Sequence, residues 1–120
     1  MLPKVNRLKK KQDIERVFKK GEGSKEDFLV LKIAKNRLSQ TRFAFIISRK
    51  VSKKAVIRNK IRRQLSEAVG TRLKKLKKER HPPTTHQGMD VVLIALPGLE
   101  KKDFWEMDEV VDKLFKKAGM

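Results

Sequence analysis

The sequence predicts an α+β fold, a two-layer α-β sandwich with element order α-β-β-β-α-β-α. Two observations lead there. Apolar residues recur at helical spacings of three and four in separate stretches, each followed by glycine or proline. Between them lie short aliphatic and aromatic runs without that spacing, bounded by polar turn residues, which predict strands. The order helix, strands, helix, strand, helix then places helices against one sheet.

Residues 1–11, MLPKVNRLKKK, form a basic N-terminal arm with apolar anchors at Leu2, Val5 and Leu8. The first helix follows, because Ile14, Val17 and Phe18 share one face and Gly21 stops it. Residues 22–27 carry a weak strand signal. Residues 28–34, FLVLKIA, and 42–48, RFAFIIS, predict two stronger strands. The polar link KNRLSQT between them predicts an antiparallel hairpin.

The second helix begins near Lys54. Ile57, Ile61, Leu65 and Ala68 gather on one side at about 100° per residue. Asn59, Arg62, Arg63 and Ser66 gather on the other. Gly70 costs this helix about 1 kcal/mol and is a candidate end or bend. RLKKLKKER can extend it with Leu73 and Leu76 inward, until Pro82 and Pro83 stop it. MDVVLIALPG is a buried strand closed by a Pro97-Gly98 turn. The last helix opens on Asp103 and Glu106, the spacing of a capping box. Phe104, Met107, Val111, Leu114 and Phe115 mark its inner face, and Gly119 ends it. Phe43, Phe45, Phe104, Trp105 and Phe115 are expected to pack, with Trp105 the more exposed.

The 120 residues fit one domain, 1–120, with 32 basic and 14 acidic side chains and a net charge of +18. That charge costs self-repulsion, which a polyanion offsets. It is also segregated. Residues 1–20 hold eight basic and two acidic side chains, while residues 100–117 hold five basic and six acidic. The chain has no cysteine, which excludes disulfides, thiolate zinc sites and cysteine nucleophiles. No apolar stretch is long enough to span a bilayer, and no apolar segment follows the basic start as in a signal peptide. These features fit a cytoplasmic chain.

From Arg49 to Arg63 there are eight Lys or Arg and no acidic residue. A solvated helix face normally interleaves Glu for i,i+4 pairs. Here that is missing, so the face is suited to phosphates, whose binding releases condensed counterions. Asn and Arg add hydrogen bonding to sugars and base edges. Composition alone leaves RNA, DNA and a membrane surface open. A basic helix lying between strands departs from a helix-turn-helix.

KKAVIRNKIRRQLSEA resembles the basic signature helix of the bacterial ribonuclease P protein subunit, K-A-V-x-R-N-x-x-K-R-x-x-R-E. Lys54, Ala55, Val56, Arg58, Asn59, Arg63 and Glu67 match. Arg62 replaces a common Lys, Lys60 stands where Arg is frequent, and Ser66 replaces an Arg. LPKVNRLKKKQDIERVFKKG is similar to the family's LPKxxRLxxxxDFxxVFxxG through Arg7, Leu8, Asp13, Val17, Phe18 and Gly21. ISRKVSKKA resembles the junction before the signature helix, and GMDVVLIALPG a later strand.

The resemblance implies a ribosomal-protein S5 domain 2-like fold with a left-handed βαβ crossover. It implies that the RNA subunit holds Mg²⁺ and hydrolyses precursor tRNA, while the protein binds the catalytic RNA and the 5′ leader. The implied contacts to the catalytic RNA are Arg49, Lys50, Lys53, Lys54, Arg58, Asn59, Lys60, Arg62 and Arg63, with Arg7 at the N-terminus. The implied leader cleft is Ile14, Phe18 and Leu31, with Ile14 in place of a common Phe and Leu31 in place of a common Tyr. Ordinary core packing is the plainer reading of those three.

The implied assembly is one protein with one ribonuclease P RNA, acting on precursor tRNA, with no DNA or membrane partner. A ribosomal or other structural RNA-binding protein is the alternative. No catalytic residue and no protein-borne metal site are expected. His81 and His86, both in a Pro-rich loop, make a poor pair for either.

Overall fold

The computed structural model describes residues 2, 4–36, 38, 40–79 and 88–118, with residues 75–79 described by backbone alone. His81, His86, Pro82, Pro83, Gly119 and the side chain of Leu76 lie outside the described residues.

A 3₁₀ turn at Lys4–Asn6 leads into α1 (Lys11–Lys20). Then come β1 (Glu22–Glu26), β2 (Leu29–Lys35), β3 (Arg42–Ile46), α2 (Ala55–Glu79), β4 (Met89–Ala95) and α3 (Phe104–Lys117). The order of kinds is the one the sequence predicts, and the weak signal at residues 22–27 is a true strand. α2 runs straight through Gly70, whose open side is covered by Leu2.

The sheet order is β1-β2-β4-β3. β2 and β3 therefore do not form the expected hairpin. β4 lies between them, antiparallel to β2 and parallel to β3. From Val91 to Ala95 its residues are apolar on both faces, and Val91, Val92 and Leu93 are fully buried. Such a strand gains most at the centre of a sheet, and that outweighs the short link between β2 and β3. The hairpin instead joins β1 to β2, with Asp27 at φ 47° in the two-residue turn.

Period-2 alternation sorts the strands between two cores. Leu29, Leu31, Ile33, Phe43, Val91, Leu93 and Ala95 face α2 and α3. Ala44 and Val92 face the other way, where they meet Leu8 and Val17, with Ile14, Ile46 and Ile94 at the margin. So α2 and α3 cover one face, and α1 crosses part of the other.

The end of α1 is pinned by close approach. A Cβ at Gly21 would lie 2.4 Å from the Val17 carbonyl oxygen and 2.8 Å from that of Ile33, so only glycine lets the chain pass. α3 carries the capping box: the Glu106 backbone N–H donates to Asp103 at 2.8 Å, and the Asp103 N–H to the Glu106 carboxylate at 3.2 Å. Phe43 stacks on Phe115 with centroids 6.0 Å apart, whereas Trp105 is 76% exposed.

The N-terminal segment is tied to the sheet edge. Arg7 bridges Phe43 in parallel, and the Leu8 N–H donates to the Phe43 carbonyl at 2.8 Å. Leu2 and Leu8 are buried, but Val5 is exposed and anchors nothing.

Candidate nucleic-acid interface

The basic face of α2 is built by its buried one. Ile61, Leu65, Ala68, Val69 and Leu73 are buried against the sheet and α3, and Ile57 is half-buried. That fixes the helix rotation. Lys53, Lys54, Asn59, Lys60, Arg62 and Arg63 then face solvent. No ion pair joins any of them to a described carboxylate.

The junction before the helix is organised by serines. Ser48 accepts from the Lys50 N–H at 3.3 Å, and Ser52 from the Lys54 N–H at 3.2 Å. These turns hold Arg49, Lys50, Lys53 and Lys54 outward on the approach to α2. Arg58 is half-buried and donates to the Ser52 carbonyl at 2.9 Å, so it braces the junction as well as carrying charge. Arg62 donates to the Asn59 side chain at 3.0 Å, which orients both. The first turn of α2 holds no acidic residue, so the helix dipole adds to the positive field.

Beside this face lies an open groove of about 870 Å³. Its floor is β3, the edge strand, with Phe45 and Ile46. One wall is Arg7, Lys9 and Ile14; the other is Asn59, Arg62, Arg63 and Ser66. The structure thus brings Ile14, which the resemblance assigns to the leader cleft, together with Arg7, Arg62 and Arg63, which it assigns to RNA contacts elsewhere. Lys9, Phe45 and Ile46 join them without having been expected. Ser66 lines the groove where a longer Arg would have narrowed it.

The three residues expected in one cleft separate. Ile14 lines the groove. Phe18 is 39% exposed and stands outside it, with Lys32 Nζ 5.1 Å from its ring centroid. Leu31 cannot belong to either site. It is fully buried among the residues facing α2 and α3, on the opposite side of the sheet from α1. Strand alternation puts Lys32, not Leu31, on the α1 side. Counting by two in the sequence groups Leu31 with Leu29 and Ile33; which of the two faces α1 covers comes from the structure.

A buried charge cluster sets α1 on the sheet. Asp90, at the start of β4, is fully buried. It accepts from Arg42 at 2.8 and 2.9 Å, from Asn36 at 2.7 Å, and from Arg16 of α1. Burial pushes the Asp90 carboxyl up. The hydrogen bonds from Arg42 and Asn36, with the charges of Arg42 and Arg16, outweigh it and hold the group below its ordinary range. Sequence reading treats Asp90 as a strand residue, since its partners lie 48 to 74 positions away.

Among the described residues, no three His, Asp or Glu side chains converge as a metal site, and no helix is long and apolar enough to cross a membrane. The groove offers few oxygen ligands beyond Ser66, Asn59 and Glu67. Mg²⁺ takes carboxylates, phosphates and waters, so these walls do not suit it.

Comparison with known proteins agrees with this architecture. The family model described as Ribonuclease P matches residues 2–119. The ribonuclease P protein component of Clostridium botulinum (strain 657 / Type Ba4) is 32% identical over 117 residues, 98% of this chain and 97% of that one. That of Syntrophomonas wolfei is 34% identical over 120 residues, covering 100% of this chain and 92% of that one. The solved ribonuclease P protein of Thermotoga maritima superposes with a TM-score of 0.74 at 28% identity, over 92% of this chain and 96% of that one. The chain belongs to the ribonuclease P protein family.

Proposed function

We propose that this chain is the protein subunit of the ribonuclease P ribonucleoprotein, which removes the 5′ leader of precursor tRNA by endonucleolytic hydrolysis. The RNA subunit carries the hydrolysis and holds the Mg²⁺ ions. The chain supplies no catalytic side chain. Arg49, Lys50, Lys53, Lys54, Lys60, Arg62 and Arg63 neutralise phosphates of the catalytic RNA, with Asn59 adding hydrogen bonds. Arg58 contributes charge while bracing the junction, and Arg7 and Lys9 extend the field across the groove. Neutralised phosphates let two RNAs approach at ordinary salt, which lowers the Mg²⁺ needed for activity. The leader lies on the α1 side, near Ile14 and Phe18. One protein pairs with one RNA, in the cytoplasm.

One observation carries this reading: eight cations without a described carboxylate partner, presented beside an open groove. The test is single-turnover cleavage of a 5′-extended precursor tRNA by a bacterial ribonuclease P RNA at low Mg²⁺. Cleavage at the mature 5′ end should rise with the protein and fall back with Arg62→Ala/Arg63→Ala. A protein that binds RNA tightly yet never alters cleavage, even with a closely matched RNA subunit, is a structural RNA-binding protein instead.

A further inference from the structure

β3 is an edge strand, and only part of its outer edge is covered. The N-terminal segment pairs with it at Phe43: Arg7 bridges that residue, and the Leu8 N–H donates to its carbonyl at 2.8 Å. The segment then turns away into α1 at Lys11. Residues two apart in a strand offer their N–H and C=O to the same edge, so those of Phe45 also point outward. No described backbone group outside the sheet meets them. They open onto the groove of about 870 Å³, whose floor is Phe45 and Ile46.

An extended chain laid along this edge has two unlike sides. Strand alternation carries one set of its side chains to the α1 side, where Leu8, Ile14 and Ile46 offer apolar contact. The other set points to the α2 side, where Arg62 and Arg63 stand exposed beside Phe45. Arg7 and Lys9 add charge, so four cations of the groove face one carboxylate, Glu67. None of the four pairs with a described carboxylate. A nucleic-acid strand brings neither a ladder of N–H and C=O groups nor an alternation of apolar and acidic sides. A polypeptide brings both.

We propose that the groove takes an extended acidic segment of a partner protein, added to β3 as a further strand, with apolar side chains toward α1 alternating with Asp or Glu toward α2. Hydrogen bonds to Phe45 set its register, and its carboxylates meet Arg62 and Arg63. The free protein, with net charge +18, thereby gains a cover for cations that its own carboxylates leave unmatched. The same arginines serve the catalytic RNA in the reading above, so segment and RNA exclude each other. That consequence alone rests on the RNA reading; the strand site does not.

The experiment is fluorescence anisotropy on the full chain with two labelled octapeptides of the same composition. In one, Val and Glu alternate; in the other, all the Val precede all the Glu. The alternating probe should bind about tenfold more tightly, because it alone can present carboxylates to one side and apolar groups to the other while pairing with the edge. Arg62→Ala/Arg63→Ala should weaken it about tenfold or more. Lys113→Ala/Lys116→Ala removes the same charge from α3 and should leave it within about twofold. Far-UV circular dichroism checks that both variants are folded. Excess ribonuclease P RNA should displace the probe from the wild-type chain. Equal affinity for the two octapeptides overturns the proposal, as does an equal loss in the two variants, since either means that charge alone attracts the peptide and no strand is added. A probe that Arg62→Ala/Arg63→Ala releases but RNA does not displace upholds the strand site and overturns instead the assignment of those arginines to the RNA.

Discussion

α2 and α3 lie on the same face of the sheet and share one core, yet their outer faces treat charge in opposite ways. α3 pairs its charges locally. Glu106 meets Lys102 at 3.5 Å, Glu109 meets Lys113 at 3.7 Å, and Asp112 meets Lys116 at 3.1 Å. The first half of α2 pairs none of its cations with a described carboxylate. Among its described side chains, α2 turns to ion pairing only where it meets α3: Arg72 contacts Asp108 at 2.6 Å and Asp112 at 3.4 Å. Charge that serves the fold is matched inside the molecule. Charge left unmatched raises the energy of the free protein and is compensated when a polyanion arrives.

The largest test of that contrast exchanges the two faces. Arg62→Ala/Arg63→Ala removes two unmatched cations. At about 1.5 kcal/mol per charge-assisted hydrogen bond, affinity for the ribonuclease P RNA should fall by about 3 kcal/mol, or more than 100-fold. The salt slope should shrink by about 2. Thermal stability should hold or rise, since self-repulsion falls. Lys113→Ala/Lys116→Ala removes two matched cations and should leave RNA affinity within about threefold of wild type. Equal losses in both variants would mean that only net charge matters.

A second matched cluster lies across the sheet, at Asp90. Asp90→Asn leaves Arg16 without its carboxylate and Arg42 with Asp13 alone, at 3.5 Å. Removing one partner of a buried pair costs about 3 kcal/mol or more, here nearer 2.5 because both arginines reach solvent. The pH dependence has a definite sign. The folded pKa of Asp90 lies below the unfolded one, so its stabilisation is complete above the ordinary carboxylate range. It is lost as pH falls through the lowered value. Denaturant melts at stepped pH should therefore show the gap between wild type and Asp90→Asn closing in acid. A gap of constant size would remove the charge from the explanation.

Leu31→Tyr separates the two sides of the sheet. Were Leu31 in the leader cleft, a tyrosine there would add stacking and tighten precursor binding. Leu31 lies instead in the core beneath α2 and α3. The larger side chain should overpack that core and cost about 2 kcal/mol in urea unfolding, with no gain for the leader.

The same residue shows where sequence reading stops. Helical spacing in Ile57, Ile61, Leu65 and Ala68 gives both the burial of α2 and the direction of its basic face, because one rotation determines both. The capping box at Asp103 and Glu106 is equally local. Pairing order is not. The link between β2 and β3 looks like a hairpin until β4, some 50 residues later, takes the centre of the sheet. Asp90 and its partners Asn36 and Arg42 on either side of β4 depend on that insertion. Resemblance supplied the signature helix correctly, because its motif fixes each position. It put Leu31 on the α1 side, whereas Leu31 is buried in the core facing α2 and α3; in a strand, neighbouring residues point to opposite faces.

The smallest effect tests whether α3 is as self-contained as its pairs suggest. Asp103 caps α3 by accepting the Glu106 N–H at 2.8 Å, while α2 opens with no acidic residue in its first turn. Asp103→Ala should cost about 1 kcal/mol in stability, the usual loss for a missing cap. It leaves every α2 cation in place, so RNA affinity measured well below the melting temperature should be unchanged. The complementary change, Ala55→Asp at the start of α2, should favour the helix through its dipole yet weaken RNA binding, because it puts a carboxylate among Lys53, Lys54 and Arg58. If Ala55→Asp stabilises the fold without weakening RNA binding, then the start of α2 is not where the RNA docks, and the interface begins further along the helix, at Arg62 and Arg63.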